Sequence, residues 1–277
     1  MIYNTKITSF ANGNVQVRFY TKDIHVKDEL VEQIQKKRLK SLDNTDSVLT
    51  DPDLLLYQSK NRTIQNLYAI ARSNVWDYFV TFTFNKDRVN RQSYEDCYNA
   101  VSRYVKWLKK KYCPNLKYLL VPELHSDGVS FHFHGLFANC LDIPLVVATK
   151  DGKELLDEKG RYIYNAPDYI YGFSTFTRID DNFAVISYMT KYITKDLVDN
   201  TIGYNRYICS KDIARPVCKV AKLSQEQLED LFSRSGVSIN YCKTIGEEDN
   251  KLSIFEIDSV NEFFDGFVSN FIDWDFL

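Results

Sequence analysis

The stretch FHFHGLF, residues 131–137, places two histidines two positions apart among large apolar residues. In a β-strand, successive side chains point to opposite faces, so His132 and His134 share one face while Phe131 and Phe133 occupy the other. Two imidazoles about 7 Å apart on a strand could bind one metal ion. The alternative is a half-exposed strand whose histidines hydrogen-bond locally. The chain has four histidines, His25, His125, His132 and His134.

Length and composition favour a globular protein without a membrane segment. The chain has 277 residues, of which 44% are hydrophobic, enough for one packed domain with extensions or for two small domains. No apolar run approaches a membrane span, and the start lacks the basic-then-apolar layout of a signal peptide. Six scattered cysteines without a CxxC pair are typical of a reduced protein. We therefore expect a cytoplasmic location, in a bacterial or host cell.

Charge is unevenly distributed along the chain. Residues 241–277 hold nine acidic residues and two lysines, a net charge of −7, whereas the whole chain carries −2. The rest of the chain therefore carries +5. A mildly basic body with an acidic tail is compatible with a nucleic-acid partner but does not require one.

The order of the predicted elements indicates an α+β fold. Strands are predicted at 76–84, 116–124, 131–137, 172–179 and 206–210, with helices at 93–111 and from Asp181 to about Leu197. This order gives a central antiparallel sheet of about five strands with helices on one face. A small hairpin insertion is expected at 141–170.

Flanking segments complete the predicted organisation. A hairpin around Asn12-Gly13-Asn14 and helices at 27–42 and 54–73 form an N-terminal extension, residues 1–70. The main domain covers 71–216, and an acidic C-terminal extension covers 217–277. In that extension, Ser224 and Gln227 form a capping-box pattern before a helix at 223–235. From residue 252 we expect a helical appendage or a partner-binding tail.

The helix ISYMTKYITKDL, residues 186–197, carries the second group of candidate functional residues. Its two tyrosines, Tyr188 and Tyr192, are four apart and therefore one turn apart on one face, and a lysine follows each of them by three positions. The lysines are Lys191 and Lys195. The predicted apolar stripe on the opposite face consists of Phe183, Ile186, Met189, Ile193 and Leu197. The alternative is an ordinary solvated face.

Paired phenols beside ammonium groups and a metal suit phosphoryl transfer. A phenol is a weak nucleophile at its ordinary pKa near 10. Nearby lysines favour the phenolate, and a metal ion polarises the phosphate under attack. Attack on DNA would give a 5′-phosphotyrosine bond and a free 3′-hydroxyl, so the strand could later be rejoined.

Three motifs resemble those of HUH endonucleases, a fold related to RRM and ferredoxin-like proteins. FHFHGLF resembles the His-hydrophobe-His motif, YFVTFTF (78–84) the first motif, and YMTKYITKD (188–196) the two-tyrosine third motif. The resemblance covers about residues 75–216. It is greatest to the rolling-circle replication initiators of small single-stranded DNA phages and related plasmids.

The resemblance implies a set of site residues. His132 and His134 would be metal ligands for Mg²⁺ or Mn²⁺, with Glu123 as the third ligand and His125 as its rival. Tyr188 and Tyr192 would be the nucleophiles, although which acts first stays open. Lys191 and Lys195 would contact the phosphate or manage protons.

Basic side chains elsewhere are candidates for contacting single-stranded origin DNA, the expected covalent partner. They are Arg88, Arg91, Lys106, Lys109, Lys110 and Lys111. No GxxxxGK[ST] loop is present, so a host helicase or polymerase is a candidate partner. The leading function is a nicking and joining replication initiator. The alternatives are a transposase or relaxase with the same chemistry, and a non-catalytic DNA-binding module.

Overall fold

The structure is a computed structural model that describes residues 2–25, 52–192, 204–235, 237–247, 250–257 and 275–276. The predicted helix at 27–42 and Lys195 lie outside the described residues. The chain divides into two compact units, residues 1–49 with 215–277, and residues 50–214.

The unit of residues 50–214 contains three α-helices and nine strands among its described residues. The helices are α1 (Pro52–Arg72), α2 (Tyr94–Lys111) and α3 (Asn182–Met189), and a 3₁₀ turn, Thr190–Tyr192, follows α3. The other unit holds α4 (Gln225–Ser235). In chain order, the strands of both units are β1 Ile2–Ser9, β2 Val15–His25, β3 Tyr78–Phe82, β4 Lys117–Leu124, β5 Phe131–Ala138, β6 Val146–Val147, β7 Thr149–Lys150, β8 Lys153–Glu154, β9 Ile163–Asn165, β10 Ser174–Arg178, β11 Ile208–Cys209, β12 Val217–Ala221, β13 Ile239–Ile245, β14 Leu252–Ile257 and β15 Asp275–Phe276.

A seven-stranded antiparallel sheet forms the centre of the unit of residues 50–214. Its strand order is β11-β4-β5-β3-β10-β9-β6. The first five are the predicted strands, and the predicted α+β class with a central antiparallel sheet is confirmed. The insertion supplies the last two strands, and it also contains a small separate hairpin, β7 with β8.

Helices pack on both faces of this sheet rather than on one. Aromatic side chains of α2 contact Phe82 and Phe133 on one face. On the other face, rings of α3 and its 3₁₀ turn contact Phe79 and His134, and α1 packs beside α3. Both faces are covered because β4 carries an uninterrupted buried run, Leu119–Leu120–Val121, which points to both sides.

The other unit is built around a six-stranded antiparallel sheet of order β13-β14-β2-β1-β12-β15. The predicted hairpin at residue 13 joins β1 to β2, with Gly13 at φ 88°. The predicted capping box is also present, because Ser224 and Gln227 exchange reciprocal hydrogen bonds at the start of α4. The expectation of a helical appendage from residue 252 is wrong at its start, since residues 252–257 form a strand paired with β2.

The two units do not follow the three predicted segments. Helix α1, assigned from the sequence to the N-terminal extension, belongs to the same unit as the central sheet. The N- and C-terminal segments share one sheet, because β1 pairs with β12 and β2 with β14. Over the described residues, no helix combines the length and apolarity that crossing a membrane requires.

Candidate active site

Antiparallel register brings the candidate residues together on one face of the central sheet, which we call the histidine face and define by Phe79, Thr81, His132 and His134. Residues directly opposite each other on neighbouring strands point to the same side. Thr81 of β3 is opposite His134, and Glu123 of β4 is opposite His132. The two-residue spacing of the histidines therefore has the structural consequence predicted from the sequence.

The His134 ring is held by contacts on its edge and on its faces. Its Nδ1 lies 3.0 Å from the Thr81 hydroxyl. The Tyr192 ring stacks on it with a centroid separation of 4.2 Å and an interplanar angle of 5°, and the Phe79 ring is 6.0 Å away. These contacts leave only Nε2 available to a ligand.

The Nε2 atom of His134 has the environment of a metal-binding nitrogen. It is buried and makes no aligned hydrogen bond, yet the Oε2 atom of Glu123 lies 2.7 Å away. A buried polar atom without a hydrogen-bond partner is costly. A cation shared by the imidazole and the carboxylate would satisfy both, so this donor pair fits a divalent ion. Among the described residues, however, no three His, Cys, Asp or Glu side chains converge as a complete metal site.

His132 lies at the edge of this pair, with its ring centroid 6.3 Å from that of His134. Burial lowers the pKa of His132, and its neighbours His125 and His134 lower it further. A neutral imidazole is the form that binds metals. The His125 ring is 4.7 Å from that of His132, and its Nδ1 is 3.1 Å from the Ser126 hydroxyl. Of the two proposed third ligands, Glu123 therefore contacts the innermost histidine and His125 the outer one.

Helix α3 and its 3₁₀ turn bring both tyrosines to the histidine face. The helix begins after Asp181, whose side chain accepts a hydrogen bond from the backbone of Ala184 at 3.1 Å, as the predicted cap requires. The regular α-helix ends at Met189, and residues 190–192 tighten into a 3₁₀ turn. The rest of the predicted helix, up to Leu197, lies outside the described residues. The rings of Tyr188 and Tyr192 are 5.3 Å apart at 85°.

The two tyrosines are not equivalent. Tyr188 is 45% exposed, whereas Tyr192 is 8% exposed, so the expectation that both phenols lie on an outward face is wrong for Tyr192. Burial raises the pKa of Tyr192 above its ordinary value, and a hydrogen bond with Tyr188 adds to this rise. The 3₁₀ turn and the stacking on His134 account for the burial. Lys191 is exposed, with its Nζ 5.3 Å from the centre of the Tyr188 ring.

Most of the basic residues predicted to contact DNA lie away from the histidine face. The lysines of α2 belong to the helix that covers the opposite face of the sheet, so the structure does not bring them beside the histidines. Lys109 pairs with Asp212 at 3.4 Å and Lys111 with Asp168 at 3.8 Å, whereas Lys106 and Lys110 are exposed. Arg88 and Arg91 are exposed in the loop after β3, and Arg88 donates to the carbonyl of Ile170 at 2.8 Å.

Comparison with known protein families gives a match over the elements of the candidate site. Residues 77–197 match the family described as Replication-associated protein ORF2. The match supports a replication initiator-type protein. The matched range contains both histidines, Glu123 and both tyrosines, and it covers less than half of the 277 residues. No curated protein and no solved structure matches the chain significantly.

Thr81 and Phe79 are contacts of the site that the sequence reading missed. Both contact His134 from β3, the first-motif strand YFVTF. The alternation of that strand was the available signal, because its odd-numbered residues share one face. The pairing of β3 with β5 places that face on the same side of the sheet as the histidines. The pairing itself could be found only from the structure.

Proposed function

We propose that this protein initiates rolling-circle replication by nicking and rejoining single-stranded DNA at an origin through a 5′-phosphotyrosine intermediate. One observation carries the proposal. Side chains of a metal-binding type and a pair of phenols meet at His134, which contacts Glu123 on one side and Tyr192 on the other. The family match over residues 77–197 supports the replication role.

The proposed ion is Mg²⁺ or Mn²⁺, held by His132, His134 and Glu123. Two imidazoles and a carboxylate suit Mn²⁺ better than Mg²⁺, which favours oxygen ligands. Such an ion would polarise a non-bridging oxygen of the scissile phosphate and stabilise the charge that develops there. His125 is the alternative third ligand.

Tyr188 is the proposed first nucleophile. It is exposed enough for a DNA strand to reach its hydroxyl, whereas Tyr192 is buried against the histidine face. The Tyr188 phenol gives up its proton as its oxygen attacks phosphorus. The bond from phosphorus to the 3′-oxygen breaks, and that oxygen takes up a proton and leaves as a 3′-hydroxyl. The Lys191 ammonium, 5.3 Å from the centre of the Tyr188 ring, is proposed to contact the phosphate under attack.

Rejoining is the reverse reaction, in which a 3′-hydroxyl attacks the phosphotyrosine and frees the phenol. It conserves the energy of the phosphodiester bond, so no nucleotide cofactor is needed for sealing. Under this proposal Tyr192 either acts in a second transfer or supports His134. Lys195 is proposed as the equivalent of Lys191 for Tyr192.

The test is incubation of the purified protein with single-stranded oligonucleotides tiling the origin of its own replicon, with Mn²⁺, followed by a denaturing gel. We expect a protein–DNA adduct that EDTA prevents and that Tyr188→Phe abolishes. Tyr241→Phe, at an exposed tyrosine of the other unit, is the matched control and should form the adduct normally.

Three results would contradict the proposal. Absence of an adduct on every strand, while the protein binds Mn²⁺ and DNA, would favour a non-catalytic DNA-binding module. An adduct that persists in the Tyr188→Phe, Tyr192→Phe double variant would show that neither phenol is the nucleophile. Adducts formed only at transposon ends or at a transfer origin would favour a transposase or a relaxase instead.

A further inference from the structure

We propose that Thr81 is a positioning residue that orients His134 for metal binding. This inference rests on the proposed function, because it concerns the same metal ion. In it, the Thr81 hydroxyl accepts the Nδ1–H of His134 and thereby leaves the Nε2 lone pair directed toward Glu123 and the ion.

The first support is the geometry around the imidazole. The Oγ1 atom of Thr81 lies 3.0 Å from Nδ1 of His134, and the two residues are direct register partners on β3 and β5. In a neutral imidazole one nitrogen carries the proton and the other the lone pair. A hydroxyl that accepts at Nδ1 therefore selects the form in which Nε2 is free to bind a metal.

The second support is the state of the other ring nitrogen. Nε2 of His134 is buried without an aligned hydrogen-bond partner and lies 2.7 Å from a carboxylate oxygen. With an ion bound, Nε2 would give its lone pair to the metal and the carboxylate would be a second ligand. The proton of the neutral imidazole would then be on Nδ1, where the Thr81 hydroxyl can accept it.

The third support is that Thr81 stands at a fixed place in the sheet. It lies on a central strand, paired with His134 on one side and with Thr175 of β10 on the other. A side chain on a strand paired on both sides has little freedom to move away from its neighbour. Hydrogen-bonding partners of metal-bound histidines typically contribute about 10–100-fold to metal affinity.

The test compares Mn²⁺ affinity among variants of the full chain by calorimetry and by the electron paramagnetic resonance signal of free Mn²⁺. Thr81→Val keeps the shape and branching of the side chain but removes the hydroxyl. We expect it to bind Mn²⁺ about 10–100-fold more weakly. Thr81→Ser restores the hydroxyl and should recover most of the affinity.

Thr175→Val is the matched control, because it makes the same change on the same face. Thr175 is two strands from His134, at about 10 Å, so we expect Mn²⁺ affinity within about twofold of the original protein. Nicking gives an independent readout. A positioning role predicts that Thr81→Val nicks poorly at low Mn²⁺ and regains activity at saturating Mn²⁺.

A readout independent of nicking comes from long-range ¹⁵N–¹H spectra of the protein labelled in its four histidines and saturated with Mg²⁺, which is diamagnetic, with a His134→Gln variant for assignment. We expect His134 to be protonated at Nδ1 in the original protein, with Nε2 on the ion, and to become a mixture of tautomers in Thr81→Val. If Thr81→Val fails to fold, Thr81→Ala against Thr81→Ser makes the same comparison.

The outcomes separate this inference from the proposed function. An original protein that binds no Mn²⁺ overturns the proposed metal site. An original protein that binds Mn²⁺, together with a folded Thr81→Val of equal affinity and unchanged tautomer, overturns the role of Thr81 and leaves the metal site standing.

Discussion

His134 is the residue on which the candidate site depends, because one side chain contacts the carboxylate, the threonine hydroxyl and the buried tyrosine. Its stacking on Tyr192 is nearly parallel at 4.2 Å. Since stacked rings of this kind contribute about 1 kcal/mol beyond burial, Tyr192 has a structural role that needs its ring but not its hydroxyl.

Two substitutions at Tyr192 separate the ring from the hydroxyl. Tyr192→Phe keeps the stacking, so we expect Mn²⁺ affinity close to that of the original protein. Tyr192→Ala removes it, so the freed His134 ring must be ordered when the ion binds. An ordering cost of about 1 kcal/mol corresponds to roughly fivefold weaker binding. Calorimetric titration with Mn²⁺ measures both. Tyr188→Ala is the control, since that ring contacts Phe79 and Tyr192 instead of the histidine. Equal affinities for the Phe and Ala variants would contradict the prediction.

At the residue scale, the sequence predicted what local spacing determines. The HxH spacing predicted both histidines on one face. Glu123 was named from the family resemblance, and its register opposite His132 is known only from the structure. The burial of Tyr192 was not predictable in this way. It depends on a 3₁₀ turn after Met189 and on stacking against His134, which is distant in sequence, and helical periodicity carries information on neither.

At the scale of secondary structure, close packing of β5 between β3 and β4 positions the two histidines that β5 carries. Gly135 lies between its partners Val80 and Leu120. A Cβ built there would meet the side chain of Leu120 and would come within 2.5 Å of the carbonyl oxygen of Leu119. Backbone at that distance cannot move aside without disturbing the neighbouring strand, so glycine is required by close packing directly after the second histidine.

We expect Gly135→Ala to lower the free energy of unfolding by about 1–3 kcal/mol, the usual cost of overpacking a filled core. Urea unfolding followed by circular dichroism measures it. Lys106→Ala, at an exposed position of α2, is the control and should stay within about 0.5 kcal/mol of the original protein. A Gly135→Ala protein as stable as the control would show that β4 and β5 can separate at little cost.

At this scale, strands with β-branched and aromatic residues were predicted close to their observed bounds. Helices on both faces were not predicted, although the buried run at residues 119–121 carried the signal, because continuous apolar strands indicate a sheet covered on both sides. The insertion was expected as a separate excursion. Two of its strands instead extend the central sheet, a pairing that such short segments do not reveal in sequence.

At the scale of the whole molecule, the residues that the structure describes form two separate hydrophobic cores. One consists of buried residues between Leu67 and Ile213, and the other of buried residues from two segments, Ile7–Val17 and Leu228–Ile257. The second core unites the two ends of the chain, because strands near the start pair with strands near the end. Local patterns predict strands but not which distant strands pair, so the sequence reading divided these ends into two extensions.

This organisation predicts that residues 50–214 fold without the remainder of the chain. A fragment of about 165 residues with its own core is of ordinary domain size, and internal contacts secure both of its ends. Near the start, α1 contributes Leu67 and Ile70 to the core, and at the end the carbonyl of Ala214 accepts a hydrogen bond from Asn74 at 3.0 Å. We expect a cooperative thermal transition by circular dichroism.

The same fragment should retain the proposed metal site, since His132, His134, Glu123 and Thr81 all lie within it. We expect Mn²⁺ affinity within about threefold of the full chain, because the deleted segments contribute none of the proposed ligands. The fragment with His134→Ala is the control and should lose Mn²⁺ binding while keeping the transition. A fragment that melts without cooperativity would show that the first core needs the second, and a cooperative fragment without Mn²⁺ affinity would place part of the ligand set in the other unit.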